Sequence, residues 1–106
     1  MGQWHDVAAE GKIERGSYAL VETDELTAAV FNVEGTLYAI EDVCTHDGAE
    51  LAGGPVVGDQ VVCPRHGARF CLRTGRALSP PAYEAVQTFP VRIRDGRIEV
   101  ELPEED

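Results

Sequence analysis

Two short segments, each carrying one cysteine and one histidine, constrain this sequence more than any other feature. The first is Cys44-Thr45-His46, and the second, after sixteen intervening residues, is Cys63-Pro64-Arg65-His66. Thiolate sulfur and imidazole nitrogen can together bind a metal centre held between two loops. Each segment supplies one ligand of each kind. A common zinc finger is different, because one segment carries both cysteines and the other carries both histidines.

These segments closely resemble the signature of Rieske proteins, whose [2Fe–2S] cluster has two cysteines on one iron and two histidines on the other. The flanking residues also match, since Asp47-Gly48 follows the first segment and Gly67 follows the second. Over the whole chain, the sequence is similar to the Rieske-type ferredoxins of bacterial ring-hydroxylating oxygenase systems. The similarity is strongest at 63–75 and 79–82. From the residues alone, a structural zinc site is the remaining metal alternative.

The resemblance implies both a site and a fold. It implies that Cys44 and Cys63 bind the buried iron of one [2Fe–2S] cluster, and that His46 and His66 bind the outer iron through Nδ1. It implies no catalytic residue. The proline segment at 79–82 would cover the cluster as a third loop. The implied fold is the all-β Rieske iron–sulfur fold, with an antiparallel β-sandwich or barrel-like base and a small inserted cluster-binding subdomain of loops and short strands.

Apolar and β-branched residues near the N-terminus predict strands at 3–7, 17–21, 26–33 and 36–40. We expect them to form one antiparallel meander. No stretch shows the periodicity of an amphipathic helix.

The C-terminal part predicts a hairpin. Val91 and Ile93 alternate with arginines, Asp95-Gly96 is a favoured two-residue turn, and apolar residues alternate again at 98–102. Both strands are expected to bury their apolar face. The last residues, 103–106, are expected to form a frayed acidic tail.

A glycine-rich stretch separates these two regions. We predict a single domain over 1–106, with a base at about 1–40 and 82–106 and a cluster-binding subdomain at about 41–81. Within the subdomain, residues 56–62 are expected to form two short strands around a turn, which lead the chain to Cys63.

The net charge of −10 argues against nucleic acid as a partner, because phosphates would repel the protein. The charges are unevenly distributed. Residues 1–60 contain twelve acids and only two bases, Lys12 and Arg15. Four arginines fall in the second metal segment and after it, at Arg65, Arg69, Arg73 and Arg76. We therefore expect an acidic body with a more basic patch near the metal.

The sequence has no apolar run of about 18 residues, so no membrane-spanning helix is expected. The N-terminus lacks a signal-peptide pattern, which makes a cytoplasmic location the expectation. Three cysteines argue against a disulfide framework. The third, Cys71, lies in an apolar segment and is expected to be a small buried hydrophobe without a redox role.

The resemblance implies a soluble one-electron carrier that is not itself an enzyme. It would pass electrons from a flavin-dependent reductase to a terminal ring-hydroxylating oxygenase through transient contacts, with no membrane or small-molecule substrate of its own. The alternative is the small Rieske subunit of an assimilatory nitrite reductase or of another multicomponent oxidoreductase. A catalytic Rieske oxygenase is excluded, because it needs a mononuclear iron site and only His5 remains to supply a histidine.

Four positions depart from the Rieske proteins of respiratory complexes. Those proteins carry an additional cysteine in each loop, where this sequence has Ala49 and Arg65. They also carry a serine and a tyrosine whose hydroxyls donate to cluster or cysteine sulfur, where this sequence has Ala68 and Phe70. Because such donors stabilise the reduced cluster, their absence predicts a low reduction potential.

Overall fold

The computed structural model describes residues 2–103, and within this range it contains ten β-strands and no helix. In chain order the strands are β1 (Gly2–Ala9), β2 (Tyr18–Glu22), β3 (Thr27–Val33), β4 (Thr36–Glu41), β5 (Val56–Val57), β6 (Gln60–Val62), β7 (Arg69–Cys71), β8 (Thr88–Phe89), β9 (Val91–Arg94) and β10 (Arg97–Pro103). No helix among the described residues is therefore long enough to cross a membrane.

The strands form three antiparallel sheets. Sheet 1 has the order β1-β10-β9, sheet 2 the order β2-β3-β4-β8, and sheet 3 the order β5-β6-β7. Strands of sheets 1 and 2 contact each other, with β1 against β2 and β9 against β4, which gives a barrel-like base. Sheet 3 is inserted in the chain between β4 and β8. The all-β class with an insert is confirmed, and the residue limits of the two parts stay a prediction.

Strand β3 of sheet 2 is buried on both of its faces. In β3, the four consecutive residues from Ala28 to Phe31 are all buried. Because side chains alternate along a strand, they point in two directions. Ala28 and Val30 pack in a core with residues of sheet 1. Ala29 and Phe31 pack in a second core with residues of the insert, including Cys44. A strand in this position has no solvent-facing side, so its sequence shows a continuous apolar run.

Two hairpin turns form as the sequence predicts. Glu34 and Gly35 join β3 to β4 with φ angles of 53° and 95°. Asp95 and Gly96 join β9 to β10 with φ angles of 52° and 75°. Positive φ at both central residues matches the right-handed twist of the paired strands, which is why this turn type is common in tight hairpins.

The predicted N-terminal meander is wrong for its first strand. The meander consists of β2, β3 and β4, whereas β1 pairs with β10 in sheet 1. Two side-chain contacts accompany this pairing: Arg97 donates two hydrogen bonds of 2.8 and 2.7 Å to Asp6, and Arg92 lies 3.9 Å over the Trp4 ring. The long connection after β1 lets the chain cross to the other sheet, and strand patterning alone does not specify the pairing partner.

The predicted burial of the C-terminal hairpin holds for β10, whereas in β9 it holds for the half-buried Val91 and fails for Ile93. Ile98, Val100 and Leu102 are buried, but Ile93 is 51% exposed. The physical reason is that β9 is the edge strand of sheet 1. Of the predicted acidic tail, Pro103 ends β10, and residues 104–106 lie outside the described part of the chain.

We predict that Phe31→Ala lowers the free energy of unfolding by roughly 3–5 kcal/mol, because it leaves a cavity at the contact between base and insert. Ile93→Ala serves as the control and should change this free energy by no more than about 0.5 kcal/mol, because the side chain is largely exposed. Denaturant midpoints of the two purified variants measure the difference. Equal midpoints for both variants would contradict the assignment of Phe31 to a shared core.

Candidate metal centre

The two cysteines begin loops that have the same backbone hydrogen bonds. In the first loop, which we call the first knuckle (44–49), the Cys44 N–H donates to the Ala49 carbonyl at 2.7 Å, and the Gly48 N–H donates to the Cys44 carbonyl at 2.7 Å. The second knuckle (63–68) repeats both bonds, from Cys63 to Ala68 at 2.7 Å and from Gly67 to Cys63 at 3.0 Å. Each knuckle therefore folds back on its cysteine in the same way.

A glycine at the fifth position makes each reversal possible. Gly48 and Gly67 have φ angles of 79° and 75°, in the left-handed region that L-residues with a side chain rarely adopt. No other group lies within 4 Å of a Cβ built at either position. Backbone conformation, and not lack of space, is thus the reason for glycine here.

The two thiols are buried close together. Cys44 and Cys63 are each 1% exposed, and their sulfurs lie within 4.8 Å of each other and of an Asp47 carboxylate oxygen. Burial raises the pKa of the Cys44 thiol, and the nearby Cys63 thiol adds to this effect. Backbone N–H groups of His46 and Asp47 act in the opposite direction by donating to the Cys44 sulfur. Binding of a metal as thiolate must therefore release protons.

The two histidines meet on the outside of the same loops. His46 is two residues after its cysteine and His66 is three residues after its own, and both are exposed. Their ring centroids are 5.3 Å apart, with the rings nearly perpendicular at 86°. The knuckles thus present a buried pair of sulfurs and an exposed pair of imidazoles.

This separation fits a two-iron cluster better than a single zinc ion. Four ligands of one tetrahedral zinc lie roughly 4 Å from one another, given zinc–sulfur distances of about 2.3 Å. Among the described residues, the group of donors within 4.8 Å of one another contains Cys44, Cys63 and Asp47, and neither histidine belongs to it. Thiolates on one iron and imidazoles on a second match the observed arrangement.

A third segment lies against both knuckles. The Thr45 hydroxyl donates to the Glu84 carbonyl at 2.7 Å, and the Arg69 N–H, just after the second knuckle, donates to the Ser79 hydroxyl at 3.1 Å. The segment between Ser79 and Glu84 therefore bridges the two loops, as expected for the proline-containing cover. Its Pro80–Pro81 peptide bond is cis.

Residues 3–90 match the profile of the Rieske [2Fe-2S] domain. The chain belongs to the Rieske [2Fe–2S] family. The 3-phenylpropionate/cinnamic acid dioxygenase ferredoxin subunit of Escherichia coli (strain K12) is 41% identical over 93 residues, which are 87% of each chain. The similarity to ferredoxin components that the sequence suggested is thereby confirmed.

Two solved structures extend the comparison for this Rieske domain. A chain from the complex of reduced oxygenase and oxidized ferredoxin in carbazole 1,9a-dioxygenase has a TM-score of 0.90 and 32% identity, covering 96% of this chain and 95% of that one. A structure described as an NADH-dependent nitrite reductase small subunit of Mycobacterium tuberculosis has a TM-score of 0.85 and 25% identity, covering 99% of both chains. The Rieske fold of the whole chain is therefore confirmed, whereas the assignment of four individual ligands stays a prediction.

Asp47 contacts the histidine of the opposite knuckle. Its Oδ2 lies 3.0 Å from Nε2 of His66, and its Oδ1 accepts the Ala49 N–H at 3.0 Å. The hydrogen bond from Ala49 is the largest influence that lowers the pKa of Asp47, with smaller contributions from His66 and Arg65. Asp47 follows His46 in the chain, and its carboxylate contacts the histidine of the other knuckle in the folded structure.

Cys71 is buried, as predicted, and its thiol also accepts hydrogen bonds from its own loop. Its loop repeats the knuckle bonds, with the Cys71 N–H donating to Arg76 at 2.9 Å and the Gly75 N–H donating to Cys71 at 2.7 Å. Burial acts to raise the pKa of the Cys71 thiol, but hydrogen bonds from the Thr74 hydroxyl and from the N–H groups of Thr74 and Arg73 outweigh it. The net effect is a lowered pKa.

The predicted basic patch is only partly free of counter-ions. Arg69 and Arg76 are exposed and have no ion pair within residues 2–103, while Arg73 lies 3.8 Å from Asp59. In the base, by contrast, Arg92 and Arg97 bind Glu99 and Asp6, both at 2.7 Å. Among the described residues, Arg69 and Arg76 therefore carry unpaired positive charge on the part of the insert that follows the second knuckle.

Sequence reasoning missed three side chains that hold the Rieske loops in place: Asp42, Thr45 and Ser79. Short polar side chains commonly bond to nearby backbone groups, and their position beside glycine-rich loops was the available signal. What the sequence lacks is the partner, because Thr45 and Glu84 are 39 residues apart in the chain.

Proposed function

We propose that this protein is a cytoplasmic one-electron carrier, which takes electrons from a flavoprotein reductase and delivers them to a terminal ring-hydroxylating oxygenase. The observation that carries the proposal is the pair of exposed imidazoles above a pair of buried thiols, in a Rieske chain that is 41% identical to a dioxygenase ferredoxin subunit. The proposed ligands of its [2Fe–2S] cluster are Cys44, His46, Cys63 and His66.

The cluster supplies a centre that accepts and releases a single electron at a time. Cys44 and Cys63 belong to the core that the insert shares with sheet 2, so they anchor the sulfur-bound side in a region closed to water. His46 and His66 are exposed, which makes their outer edges the shortest route for an electron to or from a partner. The insert, at about 41–81, acts in this proposal as the cluster-binding subdomain.

The described residues support a carrier and not a catalyst. A ring-hydroxylating active site needs a separate mononuclear iron, usually held by two histidines and a carboxylate. The only further histidine of the sequence is His5, which lies on β1 in the base. A second iron site of that kind therefore lacks its ligands in this chain.

The surface near the histidines is suited to transient docking. Tyr83 is 83% exposed, and it directly precedes Glu84, whose carbonyl is bonded to Thr45 of the first knuckle. Leu78, at the start of the same covering segment, is also exposed. Exposed aromatic side chains are common anchors of protein interfaces. An oxygenase seated here would contact the two imidazoles directly.

The state of the cysteines supports the proposed cytoplasmic location. All three cysteines of this chain are free thiols. Secreted small domains usually have paired cysteines, whereas reducing compartments keep thiols free. An iron–sulfur site with thiolate ligands is compatible with the same environment.

The decisive experiment combines composition, spectrum and electron transfer. Protein purified without oxygen should contain two irons and two inorganic sulfides per chain, and should give a Rieske EPR spectrum when reduced. A flavoprotein reductase encoded beside it should then reduce it, and it should in turn reduce the accompanying oxygenase. A colourless protein that contains zinc, or no metal, would rule the proposal out.

The second candidate is the small subunit of an assimilatory nitrite reductase, which the similarity to the Mycobacterium tuberculosis protein supports. Cluster content does not separate the two functions, because both are compatible with a Rieske centre. Stable co-purification with a nitrite reductase large subunit would favour the second candidate. Rapid electron transfer to an oxygenase would favour the first.

We predict that alanine at any one of the four proposed ligands abolishes the Rieske EPR spectrum and the visible absorption bands. The reason is that each substitution would leave one of the two irons with a single protein ligand. Cys71→Ala is the matched control, since this cysteine is buried in a similar loop but is not a proposed ligand. A normal spectrum in His66→Ala, or its loss in Cys71→Ala, would contradict the assignment.

We predict a reduction potential near the low end of the Rieske range, on the order of −150 mV. Ala68 and Phe70 are fully buried and carry no hydroxyl, and the Thr45 hydroxyl is already bonded to Glu84. Few hydroxyl donors therefore remain to stabilise the reduced cluster. Protein-film voltammetry measures this potential, and a midpoint well above zero would refute the prediction.

We predict that Tyr83→Ala slows electron transfer to the oxygenase by about tenfold, the effect of losing about 1.4 kcal/mol of docking energy. The EPR spectrum and the potential should not change, because the side chain is almost entirely in solvent. Ile93→Ala removes an exposed apolar side chain from the base and is the control. Stopped-flow measurements of both variants give the rates, and equal rates would place docking elsewhere.

A further inference from the structure

We propose that Asp42 is a positioning residue for the metal centre, and that its side-chain oxygen holds the first knuckle in the conformation that binds the cluster. This inference rests on the proposed function, because it assumes that Cys44 and His46 are ligands. It adds a residue that is not itself a ligand, and whose contribution is made through the backbone.

The carboxylate of Asp42 closes the chain around the first knuckle. Asp42 is only 9% exposed, and its Oδ1 accepts two backbone hydrogen bonds, from Leu51 at 2.8 Å and from Ala52 at 2.7 Å. Its own N–H donates to the Thr27 carbonyl on β3 at 2.8 Å. Asp42 thus links the chain just before the first knuckle to the chain just after it. Its bond to Thr27 links both to sheet 2.

The second knuckle does not need such a residue, because strands hold both of its ends. It connects β6 to β7, and Val62 and Arg69 on either side of it are paired in the ladder of sheet 3. The first knuckle follows β4 closely, but no strand comes directly after it within the described residues, the next being β5 at Val56. The Asp42 oxygen supplies the closing bonds that a strand ladder supplies for the second knuckle.

The groups inside this closure are those that face the proposed cluster. Cys44 and His46 lie between Asp42 and Leu51, and the N–H groups that donate to the Cys44 sulfur come from His46 and Asp47. A loosened loop would therefore lose sulfur donors and the orientation of one imidazole together. Hydrogen bonds to ligand sulfurs and the placement of ligand rings both tune a metal site.

Three substitutions separate the position of the oxygen from its charge. Asp42→Asn keeps an acceptor oxygen at the same distance from the backbone and removes the charge. Asp42→Glu keeps the charge and moves the acceptor by one methylene. Asp42→Ala removes both. The matched control is Asn32→Ala, because the Asn32 side chain also makes two bonds to backbone in the base, to Ile13 at 2.7 Å and from Gly35 at 2.8 Å.

The readouts are the rate of cluster loss to an iron chelator and the EPR spectrum of the reduced protein. Asp42→Ala and Asp42→Glu should lose the cluster roughly tenfold faster, as expected when buried backbone N–H groups lose their acceptor, and should give altered EPR spectra. Asp42→Asn should stay within about twofold of the unmodified protein with an unchanged spectrum. Asn32→Ala should lower global stability without changing the spectrum.

Each other outcome overturns the inference in a recognisable way. Unchanged cluster loss in Asp42→Glu, or rapid loss in Asp42→Asn, would show that the position of the acceptor is not what matters. If Asn32→Ala showed the same altered EPR spectrum as Asp42→Ala, general destabilisation would explain the change, and Asp42 would have no specific role. If Asp42→Ala fails to fold, the asparagine and glutamate variants still decide. A missing Rieske spectrum in the unmodified protein would instead reject the proposed function.

Discussion

The burial of strand β3 on both faces of sheet 2 is the constraint on which the rest of this structure depends. One face of β3 packs against the first sheet and closes the base, through Ala28 and Val30. The other face packs against the insert, through Ala29 and Phe31. Because Cys44 and Cys63 belong to that second core, the two knuckles pack directly against it. The core therefore packs against the cysteine side of the proposed metal site, and the histidine side is exposed to solvent.

The knuckles themselves show how a buried sulfur pair can be tolerated. Isolated thiolates in an apolar interior are unfavourable, since burial penalises the charged form. Each knuckle turns backbone toward its cysteine through a glycine with positive φ, and the N–H groups of His46 and Asp47 donate to the Cys44 sulfur. A bound metal would compensate the remaining charge. The site therefore combines loop geometry, backbone dipoles and metal charge, and each depends on the others.

Unpaired arginines and exposed apolar side chains are unevenly distributed over the surface of the described residues. Two arginines of the base, Arg92 and Arg97, are paired with the carboxylates of Glu99 and Asp6. Arg69 and Arg76, on the insert, have no such partner in the described part of the chain. The exposed Tyr83 lies on the segment that bridges the two knuckles. An exposed aromatic side chain is thereby held on a segment that contacts both knuckles.

The sequence by itself determined the chemistry and much of the local structure. The spacing of Cys44, His46, Cys63 and His66 predicted the Rieske family, which the comparison confirms, and Asp95-Gly96 specified its hairpin through a local backbone preference. Only the tertiary structure decided that β1 pairs with β10, since the strands of an all-β chain can pair in several orders with the same apolar pattern. It also decided which oxygen closes the first knuckle. The contact between Asp42 and Leu51 requires a folded loop, and no local pattern in the sequence encodes that closure.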